Sequence, residues 1–260
     1  MMLEIFEYVP LGFDIGAIGT LVGAGGGFIL MPILLMLFPG SDPEKLTAIS
    51  LAVVFLNATS GTLAYVRMRR VNFKAGLWFA ATALPGAVIG VWINALVPRR
   101  YFDLILGASL AAGAVFLIAR SLRPALGTHT TPTEGTAHSY NYAAGGFISA
   151  IVGFISSLLG IGGGIVHVPA LIYLLDFPAH TATATSHFVL ALTALIATGI
   201  HIWQGDLDGF WPITIYLGAG VIVGAQLGAR LSHKVQGVWI VRSLATALLL
   251  VGARLILKAL

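Results

Sequence analysis

The sequence predicts an all-α integral membrane protein built from two repeated halves, on three observations. Hydrophobic residues arrive in blocks long enough to cross a bilayer, charge is scarce, and the motifs of the first half recur in order in the second. Of the 260 residues, 58% are hydrophobic and 9% charged, where a soluble domain carries roughly 25% charge. So few ionic groups could not cover a water-facing surface of this size, and the solvent of the fold is lipid.

The blocks run over residues 11–38, 46–66, 75–97 and 101–119, then 142–175, 182–203, 210–231 and 237–257. A helix needs about 20 apolar residues to cross roughly 30 Å of hydrocarbon. Between the fourth and fifth blocks lies the one long polar stretch, rich in Thr, Pro, Gly and His, which reads as a linker. The expected organisation is therefore a first membrane repeat over 1–120, a linker over 121–139 and a second repeat over 140–260. Glu4 and Glu7 stand where a secretory signal carries basic residues, so the first block is expected to stay in the mature chain.

The repetition is specific. GAIGTLVGAGGGFILMP at 16–32 aligns with GFISSLLGIGGGIVHVP at 153–169, TAIS at 47–50 with TATS at 183–186, and GAVIG at 86–90 with GVIVG at 220–224. Gly86/Gly90 and Gly220/Gly224 read as close-packing contacts between helices. The denser runs, Gly25–Gly26–Gly27 and Gly162–Gly163–Gly164, read differently. Each glycine costs a helix about 1 kcal/mol relative to alanine, and paired broken segments in two halves are the best sequence pointer to a transporter's site. A straight helix over residues 11–38 would measure about 42 Å, longer than the membrane is thick. A tilted span and a re-entrant hairpin both fit that length.

Charge in the loops bears on the choice. The loop RMRRVNFK at 67–74 is basic, as is the start of the linker, and both are expected to be cytoplasmic. The equivalent loop of the second copy, QGDLDG at 204–209, is acidic. Opposite charge in equivalent loops points to opposite faces, hence to inverted repeats with re-entrant glycine segments. The third and seventh blocks weigh against this, since both end in basic residues, Arg99 and Arg100, then Arg230 and Lys234.

At these residues the chain resembles the TauE/SafE family of sulfite and organosulfur-anion transporters. The resemblance rests on GAGGGFILMP at 23–32 with TAISL at 47–51, and on GIGGGIVHVP at 160–169 with TATSH at 183–187. It implies secondary transport, as exporter or importer, of a small inorganic or organosulfur anion such as sulfite, sulfoacetate or thiosulfate, with coupling to protons or sodium open.

Ionisable groups inside the blocks sit almost entirely at the ends, Arg242 being the deepest basic residue. No cation stands at the glycine breaks, so the backbone is the remaining source of positive potential: a broken helix exposes unpaired N–H groups and the positive end of its dipole. The predicted substrate site lies between the two broken-helix N-termini near the membrane midplane. It comprises Gly25, Gly26, Gly27, Ser50 and Asn57 from the first half and Gly162, Gly163, Gly164, Ser186 and His187 from the second. His167 and His187 are candidates for carrying a coupled proton. His201, near Trp203 and the acidic loop, is expected at the interface.

Other classes fare worse. A passive anion channel is the alternative, since the same dipoles could line a pore. Intramembrane catalysis is disfavoured because Ser186 and His187 are neighbours on a helix and point about 100° apart. The basic residues mark the ends of membrane blocks, which does not suggest nucleic acid. With no cysteine and no paired histidines at metal-ligand spacing, neither a metal site nor a cofactor is expected.

Overall fold

The computed structural model describes residues 2–122, 141–232 and 238–259. Nearly all of the expected linker lies outside the described residues, as does the side chain of Arg242. The described residues form ten helices and no strand: α1 (Met2–Val22), α2 (Gly27–Leu37), α3 (Pro43–Arg67), α4 (Phe73–Asn94), α5 (Arg99–Leu122), α6 (Tyr142–Leu159), α7 (Gly164–Tyr173), α8 (Ala179–Gln204), α9 (Trp211–Leu231) and α10 (Val238–Ala259).

Local sequence explains the boundaries. Pro43 opens α3, where a missing N–H costs nothing. Asn72 and Asn141 cap α4 and α6 by accepting from the N–H of Ala75 and Ala144. The first and fifth hydrophobic blocks are each split in two at the glycines. Gly23, Gly25 and Gly26 have φ of +87°, +76° and +82°, a region that costs a residue with a side chain roughly 1–2 kcal/mol. The chain reverses there instead of continuing α1. The resulting α2 and α7 have 11 and 10 residues, so each reaches about 16 Å, half the hydrocarbon thickness.

Helix directions follow from contacts whose numbers rise or fall together. Gly12 packs on Leu217 and Gly16 on Val221, so α1 and α9 run parallel; Gly86 on Ala150 and Gly90 on Phe154 make α4 and α6 parallel. Leu56 meets Gly218 and Ser60 bonds Ile222, so α3 runs with α9. Gly76 meets Phe188 and Trp92 meets Trp203, so α4 runs with α8. Down the α3–α8 seam, Ala64 clusters with Ala184, Val54 with Leu190 and Leu51 with Ala197, an antiparallel pair. Hence α1, α3 and α9 point one way, and α4, α6 and α8 the other. Equivalent helices of the two halves run oppositely, which makes the repeats inverted. Because α1 and α3 share a direction, α2 must return between them, so each glycine segment is a re-entrant hairpin.

Helix α3 is buried at every residue from Leu46 to Val54, which places it at the centre of the bundle. The perimeter exposes Leu77, Trp78, Phe147, Trp203 and Ile215, a surface that suits lipid and not water. Among the described residues, five helices, α3, α4, α6, α8 and α9, are long and apolar enough to cross a membrane. The packing glycines sit where the halves interlock: a methyl on Gly86 would run into the Ala150 carbonyl, and one on Gly220 into the Val9 carbonyl.

Candidate functional site

The two glycine breaks meet at the centre of the molecule. A Cβ on Gly27 would lie 2.6 Å from the Ile161 carbonyl carbon and 2.7 Å from the Gly160 oxygen, and one on Gly164 2.6 Å from the Ala24 Cα. Side chains are excluded at both positions because the opposite backbone occupies their space. The carbonyls that end α6 are taken up by the first half. Ser50 donates its hydroxyl to the Gly160 carbonyl at 2.5 Å, and Asn94 Nδ2 donates to the Leu158 carbonyl at 2.6 Å. Ser50 is thus a tether for the second break.

The N–H groups on the other side of each break have no such partner: among the described residues none accepts from Gly27, Phe28, Gly164 or Ile165. At α2 this end is covered by the second break. At α7 it borders a cavity with room for about one water-sized group, roughly 10 Å3, whose walls are mostly apolar, from Ala83, Val152, Val189 and Leu190, with Gly163, Gly164, Ser149, Ser156, His167, Ser186 and Thr193 between them. No Asp, Glu, Lys or Arg lines it. Ser149, His167 and Ser186 are almost completely buried, at 1–2% exposure. Ser149 Oγ donates to the Gly145 carbonyl at 2.7 Å and lies 3.0 Å from His167 Nε2. His167 Nδ1 lies 3.3 Å from Ser186 Oγ.

A second polar cluster sits in the first half around Gly61. Thr20 donates to Asn57 Oδ1 at 3.1 Å, Tyr65 donates to the Thr20 carbonyl at 3.0 Å, and the His187 ring stands edge-on to Tyr65 at 5.4 Å. Asn57 Nδ2 and His187 Nε2 are buried without a hydrogen-bond partner among the described residues.

The structure therefore brings Gly163, Gly164, His167 and Ser186 together at one cavity. Gly27, Gly162 and Ser50 sit at the contact between the breaks, Gly25 faces Leu190 and Val54, Gly26 packs on Ile15 of α1, and Asn57 and His187 lie in the Gly61 cluster. His201 pairs with Asp206 of the acidic loop at 2.6 Å, with its ring wholly buried. Sequence reasoning missed Ser149, Ser156 and Thr193. The available signal was spacing: Ser149 and Ser156, like Ser186 and Thr193, are seven apart and share a helix face.

An inverted-repeat bundle with paired re-entrant hairpins and a small, uncharged cavity at the second break has the architecture of a multi-pass membrane transporter. The comparisons give the family. Residues 8–255 match the sulfite exporter TauE/SafE family, and the chain belongs to it. It is 32% identical to a probable membrane transporter protein of Bacillus subtilis, YunE, over 95% of this chain and 96% of that one. It is also 27% identical to a probable membrane transporter protein of Methanocaldococcus jannaschii, over 88% and 86%. No solved structure matches the chain.

Proposed function

We propose that this protein is a secondary transporter of a small sulfur-containing anion such as sulfite, sulfoacetate or thiosulfate. The anion is held at the α7 N-terminus by the N–H groups of Gly164 and Ile165 and by the hydroxyls of Ser156 and Ser186. The observation that carries this reading is the cavity itself: the unpartnered N–H groups at the α7 N-terminus border it beside the Ser156 and Ser186 hydroxyls, with no carboxylate to repel an anion. At roughly 10 Å3 it is smaller than a sulfur oxyanion, so binding requires the site to widen. Separation of the two breaks would enlarge it and expose the α2 N-terminus, its pseudo-symmetric counterpart, to the same ligand. Inverted repeats supply the two access states, because exchanging the conformations of the halves turns a site open to one face into a site open to the other.

The test is thermal stabilisation of the purified protein by a panel of sulfite, thiosulfate, sulfoacetate, sulfate, carboxylates, organic cations and neutral sugars. A ligand at 100 times its dissociation constant adds about 2.7 kcal/mol. Stabilisation by the sulfur oxyanions is expected. Stabilisation by cations or sugars, with none from the sulfur anions, would overturn the reading.

A further inference from the structure

His167 stands between two hydroxyls, and their hydrogen bonds fix which of its nitrogens carries a proton. Ser149 commits its hydrogen to the Gly145 carbonyl, so it can only accept from His167 Nε2, which must therefore be N–H. In a neutral ring Nδ1 is then bare, and it accepts from the hydroxyl of Ser186. Ser186 has no other hydrogen-bond partner among the described residues. In this state its hydrogen points at the histidine and its lone pairs face the cavity, an arrangement that repels an anion.

Adding one proton at Nδ1 reverses the second bond without breaking either. Nδ1–H then donates to Ser186 Oγ, the Ser149 bond is unchanged, and the Ser186 hydrogen is released to rotate into the cavity. We infer that His167 is an anion-linked proton site and that Ser186 is the switch that reports its protonation to the ligand. This inference rests on the anion reading above. It explains how a cavity with no Lys or Arg could hold an oxyanion: the positive charge enters with the substrate as a proton and leaves with it. The anion and the imidazolium would cross the membrane interior as a pair, which is less costly than burying either charge alone.

The surroundings suit this role. The groups facing His167 are Ser149 from α6, Ser186 from α8 and the edge of the Phe79 ring from α4 at 6.0 Å. None is titratable in the working range, and no charged side chain lines the cavity, so the bound anion is the available counter-charge. The neighbouring His187 packs against Tyr65 in the other cluster and has no place in this exchange.

The experiment measures stabilisation by thiosulfate, sulfate and sulfoacetate, all fully ionised from pH 5.5 to 8, in the wild type, His167→Gln and His187→Gln. One linked proton means that apparent affinity rises about tenfold per pH unit of acidification wherever free His167 is neutral. This slope is expected in the wild type and in His187→Gln, and a flat profile in His167→Gln. A measurement without mutation covers the case in which His167→Gln fails to fold: in weak buffer, wild-type protein should take up about one proton for each anion bound. Anion binding with no pH slope and no proton uptake, or a slope that survives in His167→Gln, overturns the proton site and leaves the anion reading intact. Stabilisation by none of the three anions at any pH overturns both.

Discussion

Gly163→Ala separates a role in binding from a role in packing better than any other glycine substitution in this molecule. Gly163 has φ −64° and ψ −9°, so alanine fits its backbone without strain. The new Cβ would lie 2.5 Å from Val152 Cγ1 and 3.4 Å from Ser156 Cβ, both of which line the cavity. The collision is with one valine methyl that must move, so the stability cost falls in the range of about 1–3 kcal/mol typical of overpacking. Loss of glycine at an N-cap adds roughly 0.5–1 kcal/mol more. The protein should insert and fold with a modestly lowered melting temperature, while the methyl occupies the space where a ligand meets the α7 terminus. The assay compares melting temperature without ligand, the increment added by thiosulfate, and uptake into proteoliposomes. A modest fall in the first and loss of the other two are expected. Gly199→Ala, whose methyl meets nothing within 4 Å, should behave as wild type. Uptake by Gly163→Ala at wild-type rate and affinity would refute the placement of the ligand.

Three further outcomes follow from the geometry. Ser186→Ala should weaken anion binding by the roughly 1.5–3 kcal/mol of a hydrogen bond to a charged group, measured as a shift in half-saturation, and should also lower the melting temperature, because it leaves the buried His167 Nδ1 without its partner. Ser50→Ala should affect stability alone: it leaves the Gly160 carbonyl unsatisfied, costs about 1–3 kcal/mol of stability and lowers the melting temperature, with anion affinity altered little once the protein is folded. Because the chain has no cysteine, Arg69→Cys and Asp206→Cys can be labelled singly from outside. Inverted repeats predict labelling on opposite faces, and labelling on the same face would contradict the helix directions derived above.

The sequence made the architecture readable because the membrane imposes it. Blocks of apolar residues, glycine runs too dense for a continuous helix and opposite charges in equivalent loops led to inverted halves with re-entrant hairpins, and the helix directions agree. The ten helices exceed the eight blocks because each glycine run divides one block. The site was less readable, since repetition suggested symmetric roles that the two halves do not share. Ser50 and Ser186 occupy equivalent positions, yet one closes a backbone carbonyl and the other faces a cavity. The difference is made by residues with no counterpart: position 30, equivalent to His167, is Leu, and position 12, equivalent to Ser149, is Gly. Gly86 and Gly220, by contrast, pack closely against the opposite half, as their spacing in the sequence indicated. A methyl at either would strike the backbone of the opposite half.

The central claim is that the anion sits at the α7 N-terminus, and the most direct test is a structure of the protein with thiosulfate at a concentration that saturates transport. The account predicts density in the cavity bounded by Gly163, His167 and Ser186, with anion oxygens within hydrogen-bonding distance of the Gly164 N–H and of Ser186 Oγ. Density beside Asn57 and His187 instead, or an empty cavity under saturating conditions, would contradict it.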